Sequence, residues 1–325
     1  MKRIALDDSS RSALGLAAHG ISSSPYESNF QKFLLSVGNL IQILPHEIRN
    51  EILKLRLQSF GKGILLIDNL PIDDFLGDTP LSHNDLKSKQ TYVSESIVGL
   101  IGLLLGTPFS YDSDNHKAVI RSIFPQARKS ENKNYFGAQN LTPHSDMACA
   151  PLRPDFIILF CLRSSIHEPV ATQVASLSDI LLKLERNSIN ELTKPQFRLG
   201  LPESLRVRNQ NKMYWSPLTS VLCYLNNYPE IRYNSTYIEA LTTSGKESLN
   251  SLNECMNEFK IDIALHAGQA LIIDNRKCLH ARNSFSVKLD GKDRWIHQSY
   301  VVQSLWNHRY ALLDDHVISL AKLLS

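Results

Sequence analysis

The run Asn140-Leu141-Thr142-Pro143-His144-Ser145-Asp146 sets an imidazole and a carboxylate two residues apart. In an extended segment residues i and i+2 project to the same side, so both groups can address one point in space. A second imidazole, His280, stands far downstream in Asp274-Asn275-Arg276-Lys277-Cys278-Leu279-His280-Ala281-Arg282, just after a run that reads as a strand ending in a turn. Two imidazoles and one carboxylate on one face of a metal, with the opposite positions open, form the ligand set of non-haem Fe(II) oxygenases. Arg294 is the fourth member. A guanidinium grips a carboxylate through two parallel hydrogen bonds, which suits an acidic co-substrate. His-x-Asp alone is a weak signal in a chain with 11 histidines, and a second match occurs at His83-Asn84-Asp85. Context separates the two: His144 precedes a strong strand, whereas His83 has only loop around it.

The four residues can meet only through tertiary folding. From about 29 to 60, apolar residues recur at helical spacing: Phe33, Leu34, Val37, Leu40, Ile41 and Leu44, then Ile48, Ile52 and Leu55. Pro45 fits the opening of the second helix, where no N–H is needed. Residues 1–25 are Ser-rich with weak periodicity and read as a mobile arm leading into helix. Residues 63–68 read as a short buried strand, 69–90 as loop, and 94–105 as an apolar helix ended by Gly106. From Thr107 onward, short apolar runs separated by turn residues suggest antiparallel β structure. Strands are expected at 118–124, 155–162, 171–176, 270–273, 280–285 and 295–304. The stretch from about 180 to 260 reads as an insertion able to cover a site, with 205–235 closing over a substrate. The turn Leu289-Asp290-Gly291-Lys292-Asp293 reads as a hairpin that returns Arg294 alongside His280.

Composition closes off other classes. Lysine and arginine number 35 against 32 acidic residues, for a net charge of +3. They are scattered and give no electrostatic footprint for nucleic acid. The five cysteines, Cys149, Cys161, Cys223, Cys255 and Cys278, are odd in number and lack a C-x-x-C pair, which argues against a disulfide framework or a structural zinc site. The apolar run from Ala13 to Ala18 is too short for a signal sequence or a membrane span. A cytoplasmic protein with no membrane partner is expected, its oligomeric state left open.

Three stretches together resemble the clavaminate synthase-like branch of Fe(II)/2-oxoglutarate dioxygenases, which includes arginine and asparagine β-hydroxylases and is related to the taurine dioxygenase group. They are Leu141-Thr142-Pro143-His144-Ser145-Asp146, the run from Gly268-Gln269-Ala270 through His280-Ala281-Arg282, and Asp290-Gly291-Lys292-Asp293-Arg294-Trp295. The resemblance runs from roughly 60 to 304. It implies an α+β fold: a double-stranded β-helix (jelly-roll) core with flanking helices and a lid insertion. The whole of 1–325 would be a single domain, with 1–60 its N-terminal helical part and about 180–260 the lid. His144, Asp146 and His280 would ligate Fe(II), Arg294 would hold the far carboxylate of 2-oxoglutarate, and the Thr172 hydroxyl would assist it, with O2 as co-substrate. Halogenating relatives lack the carboxylate at the Asp146 position, so its presence favours hydroxylation.

The chain departs from the pattern at three places. Asp146 stands where the branch usually has Glu. Asn234, in Arg232-Tyr233-Asn234, falls where relatives place an Asp for a substrate amine or guanidine. Gln298 stands where relatives often have an Arg for the substrate's α-carboxylate. The expectation is therefore an oxygenase of secondary metabolism that hydroxylates an unactivated C–H of an amino acid or an amino-acid-derived small molecule, one that is not a simple basic amino acid but is modified or carrier-tethered. Arg232, Asn234 and Gln298 are the candidate substrate contacts. Desaturation or cyclisation on the same scaffold, a catalytically silent jelly-roll binding protein, and a cupin-type metal isomerase or hydrolase are the alternatives.

Overall fold

The computed structural model describes residues 1–27, 29–57, 61–113, 117–126, 137–206, 213–225 and 228–325. Two sheets share one interior. The larger runs in the order Lys2–Ala5, Ile64–Asp68, Ala270–Asp274, Phe156–Arg163, Trp295–Val302, Thr107–Tyr111, Val317–Ile318, Leu312–Asp314, with Ile120–Ile123 also paired to Trp295–Val302. The smaller runs Ile261–Ala264, Ala171–Ser176, Cys278–Arg282, Leu141–His144. Successive side chains of a strand point to opposite faces, and the chain obeys this throughout. Ile296 and Tyr300 join an apolar cluster with Leu159, Cys161, Leu271 and Ile273 of the larger sheet and Val174, Ile263 and Cys278 of the smaller. Their neighbours Trp295 and Val301 point the other way, into the cluster beneath the helices. This is the double-stranded β-helix, with helices flanking it.

Helices Asp8–His19, Phe30–Gly38, His46–Leu57 and Val93–Leu105 cover the outer face of the larger sheet. Val93–Leu105 is buried on nearly every side, as suits a helix apolar all round. Gly268 makes the turn that opens the Ala270–Asp274 strand. Its φ is +78°, and an added Cβ would lie 2.6 Å from the Leu70 carbonyl oxygen, so only glycine fits both the backbone and the space. No helix is long and apolar enough to cross a membrane among the described residues.

Four expectations are corrected. Residues 1–25 are not a loose arm: Lys2–Ala5 adds a parallel edge strand to Ile64–Asp68, and Leu6, Leu14 and Ala18 of the following segment are buried. The strand expected at 280–285 is Cys278–Arg282, and the chain then crosses between sheets. The Leu289–Asp293 turn therefore closes no hairpin. Cys278–Arg282 pairs in the smaller sheet and Trp295–Val302 in the larger, so Arg294 reaches the interior from the wall opposite His280. Finally, the described part of the insertion is more than a cover. Its helices Leu177–Lys183, Arg186–Leu192 and Thr243–Phe259 pack with Ala175, Leu279 and Ala281 against the outside of the smaller sheet. Of the stretch 205–235, residues 207–212 and 226–227 lie outside the described residues. Residues 233–235 run beside Leu141–His144, with Ser145 N donating to Tyr233 O at 2.8 Å and Ser235 N to Pro143 O at 3.0 Å.

Candidate active site

The ladder explains why His144 and His280 meet. They are direct partners in the antiparallel pairing of Leu141–His144 with Cys278–Arg282, and opposed residues of such a pair project to one side. Their ring centroids are 4.2 Å apart. Asp146 follows two residues later and turns back, placing Oδ1 3.3 Å from His144 Nε2 and Oδ2 3.8 Å from His280 Nε2. One ligand atom from each of the three lies within 4.8 Å of the others, and no second such group of metal-ligating side chains occurs among the described residues. The rival His83-Asn84-Asp85 is spent on local structure: Asp85 Oδ2 accepts from the backbone N–H of Leu81 and of Ser82, closing a capping box.

The tautomer of His144 is set by its partner. Nδ1 lies 2.7 Å from the Thr142 carbonyl oxygen, which can only accept, so Nδ1 carries a proton; Nε2 donates to Asp146 when the ring is protonated and offers its lone pair when the ring is neutral. Burial alone would raise the Asp146 carboxyl, but the hydrogen bond from the protonated His144 ring and the positive charge around it outweigh burial and hold the group well below the usual carboxylate range. Burial, reinforced by His144, pushes His280 down to about 3, so its ring is neutral and its lone pair available. For His144 burial lowers the value, while the Asp146 hydrogen bond and charge and the Thr142 carbonyl raise it to a net increase.

The donor set fits Fe(II). Two neutral-capable ring nitrogens and one anionic oxygen form the 2-His-1-carboxylate set. Asp146 Oδ2 and His280 Nδ1 are buried and have no hydrogen-bond partner among the described residues. A buried polar atom left without a hydrogen bond is costly, and a cation at the centre of the three would satisfy the carboxylate oxygen.

A residue that the sequence did not flag fixes the carboxylate's backbone. Asn275, in the turn after the Ala270–Asp274 strand, is wholly buried. Its Oδ1 accepts from Asp146 N at 2.7 Å, and its Nδ2 donates to Asp146 O at 3.0 Å and Pro154 O at 2.9 Å. Asp274 next to it does behave as a turn residue, accepting from Arg276 N at 3.0 Å.

Arg294 and Thr172 sit on inner faces of opposite sheets. Thr172 is two residues from Val174, the ladder partner of His280, so it shares that face. Arg294 lines a pocket with Val170, Ala264 and other residues flanking Thr172 and its ladder partner Ile263. Arg294 is only 4% exposed. Burial lowers its pKa, and no hydrogen bond or ion pair holds its guanidinium among the described residues. Arg282, also inward, donates to the Gln139 carbonyl oxygen at 2.8 Å. Burial, then the nearby Arg294 charge, brings it down to about 9.

The three candidate substrate contacts divide. Asn234 turns its Oδ1 back on its own chain, accepting from Thr236 N and Tyr237 N at 3.1 Å each, while its backbone bridges to His144. Arg232 is drawn into a charged group with Arg276 and Glu230, and its Nη1 approaches the Ala150 carbonyl oxygen at 3.4 Å. Gln298 faces the barrel interior, where its Oε1 accepts from Arg121 Nη2 at 3.0 Å.

Comparison with known proteins follows the same lines. Residues 207–300 match the family model described as taurine catabolism dioxygenase TauD, TfdA family. The chain is 25% identical over 266 residues to an L-asparagine oxygenase of Streptomyces coelicolor, covering 82% of this chain and 78% of that one. It is 27% identical over 252 residues to clavaminate synthase 2 of Streptomyces clavuligerus, covering 74% of each. A solved structure of an asparagine oxygenase in complex with Fe(II), a 3-hydroxyasparagine and succinate superposes with a TM-score of 0.88 at 23% identity, over 99% of this chain and 100% of that one. The likeness to clavaminate synthase-like oxygenases thus extends well beyond the motifs that first carried it.

Proposed function

We propose that this relative of the clavaminate synthase-like oxygenases is an Fe(II)- and 2-oxoglutarate-dependent enzyme that hydroxylates an unactivated C–H of an amino acid or amino-acid-derived small molecule, in secondary metabolism. The observation that carries the reading is the convergence of His144, Asp146 and His280 in one barrel with a buried Arg294 whose guanidinium no described residue pairs. Bound together, Fe(II) and 2-oxoglutarate supply the oxidation: with O2 the keto acid gives succinate and CO2, and one oxygen atom enters the substrate's C–H bond.

The chain's own residues do the rest. His144 and His280 would offer ring nitrogens to the metal and Asp146 a carboxylate oxygen. Arg294 would hold the far carboxylate of 2-oxoglutarate, and the Thr172 hydroxyl on the facing wall would add a hydrogen bond. The apolar lining, including Leu159, Val174, Ile263 and Ile296, excludes water from the reacting groups. A silent binding protein is the poorer reading, because an orphaned carboxylate oxygen and an unpaired guanidinium burden a fold that needs neither. The reaction suits the cytoplasm, where thiols stay reduced, and all five cysteines are free. The substrate is a small molecule, either free or tethered to a carrier.

The test is O2-dependent succinate formation with added Fe(II), 2-oxoglutarate and a panel of amino acids. Turnover should fall by a hundredfold or more in Asp146→Ala. Succinate no higher in the native protein than in that variant would overturn the assignment.

A further inference from the structure

Val174, the ladder partner of His280, begins a line that leads out of the barrel. Thr172 stands two residues back on the same face, and Val170, just ahead of the strand, two further. Each two-residue step covers about 6.6 Å, so the ligand cluster, Thr172 and Val170 follow one another toward one end of the smaller sheet. Val170 borders a cavity of about 190 Å³, room for roughly six waters at ~30 Å³ each. Leu265, two residues past the inward Ile263, borders it as well, and so does Arg294. Both are buried and form the floor. Ser164, Ile166 and His167 form the rim, and Ile166, 65% exposed, carries the cavity to the surface.

Arg294 therefore stands in a partition. Its charge acts on Cys161 and Arg282 on the inner side, and its side chain lines the cavity on the outer. The lid segment lies at the other end, where Asn234 bridges to His144. Both carboxylates at the rim are engaged: His167 Nε2 lies 3.2 Å from each Asp290 oxygen, and Glu168 accepts from Ser286 N.

We propose that this cavity is a second doorway to the barrel, through which the dicarboxylate co-substrate enters and leaves without crossing the end that the lid segment covers. The proposal rests on the oxygenase reading, which puts 2-oxoglutarate between the triad and Arg294. A molecule arriving from the cavity advances its keto-acid end toward the metal ligands, and Arg294, at the sill, catches the carboxylate that comes last. Entry beside the lid would instead send the far carboxylate past the ligand cluster first. A cation in the floor of a cleft also draws anions toward it. A substrate held at the lid end leaves this route open, so the two ligands exchange independently.

Stopped-flow mixing of the Fe(II)-loaded protein with 2-oxoglutarate under argon tests this, following the visible charge-transfer absorbance that develops when a 2-oxo acid chelates Fe(II). The slope and intercept of the observed rate against concentration give association and dissociation. Ser164→Trp and, separately, Ile166→Trp place an indole at the rim, away from the triad. A narrowed passage raises the barrier in both directions and leaves the end states alone. Each variant should slow both rates alike by about tenfold, equivalent to ~1.4 kcal/mol on the crossing, with Kd changed by less than about twofold. Arg294→Met, which alters the site rather than the path, should instead speed dissociation and raise Kd. The proposal fails if neither Trp variant slows both rates by the same factor; should one not fold, the other decides. Absence of the absorbance in the native protein removes the oxygenase reading itself, whereas native binding with rates indifferent to the indoles removes only the doorway.

Discussion

Asn275 commits all of its amide to backbone: one N–H of Asp146 and the carbonyls of Asp146 and Pro154. It touches neither metal nor substrate, so its effect must pass through the placement of Asp146. Asn275→Ala leaves a buried donor and two buried acceptors without partners, each costing roughly 1–3 kcal/mol. Partners that orient a metal ligand are worth about 10- to 100-fold in metal affinity. The variant should therefore bind Fe(II) about 10- to 100-fold more weakly in an anaerobic competition titration and unfold at lower urea. Lower stability with unchanged affinity would confine Asn275 to the fold. The triad was legible because three residue types with a strict chemical logic stand at recognisable spacings. Asn275 was not, because Asp-Asn is an ordinary turn pair and its partner Asp146 is 129 residues away.

The Val93–Leu105 helix was readable at the scale of the element, through its apolar run and the terminating Gly106. What it conceals is Glu95, a carboxylate buried on the outer side of the larger sheet. Glu95 accepts from Tyr26 OH at 2.8 Å and pairs with Lys89, and His297 Nε2 stands 3.4 Å away. Lys89 also reaches Asp73 at 2.8 Å, which in turn accepts from the backbone N–H of Val93 and Ser94 at the start of the helix. Burial raises the Glu95 carboxyl, but the Lys89 and His297 charges outweigh it and leave it well below its ordinary 4.5. A depressed folded-state value contributes stability that is present above about pH 4.5 and is lost as the pH falls toward the lower, folded value. Glu95→Gln should cost about 3–5 kcal/mol at pH 7, as breaking one side of a buried pair does. Its stability should also fall less steeply than the native protein's between pH 5 and 3, by up to ~1.4 kcal/mol per pH unit. Urea unfolding at four pH values would check this, and parallel curves would remove Glu95 from the acid transition. Elements with weaker patterns were misread. Lys2–Ala5 is too short and too polar to announce an edge strand, and the turn at Leu289–Asp293 looks like a hairpin unless one knows that the chain changes sheets.

That change of sheets organises the molecule. Leu141–His144 and Cys278–Arg282 are neighbours in the smaller sheet, so the two proposed imidazole ligands, His144 and His280, are held within one wall. Arg294, like Arg121 and Gln298, belongs to the larger. On the proposed reading, metal binding would need one wall, whereas 2-oxoglutarate would join both through Arg294. Sequence could assemble the four residues by resemblance but could not assign them to walls, because sheet membership depends on long-range pairing. The division predicts a pattern in thermal unfolding. Fe(II) at about a hundredfold above its Kd stabilises the fold by ~2.7 kcal/mol through mass action, and 2-oxoglutarate adds a second increment of similar size. His280→Ala should lose both. Arg294→Met should keep the first and lose the second. Without ligands, Arg294→Met should unfold at the same temperature as the native chain or a higher one, because it removes a buried charge that no described residue pairs. A lowered unfolding temperature in the metal-free variant would mean that the guanidinium braces the barrel itself. If instead the bare chain gains stability and the 2-oxoglutarate increment vanishes, Arg294 is held at the expense of the fold, for a ligand that joins the two sheets.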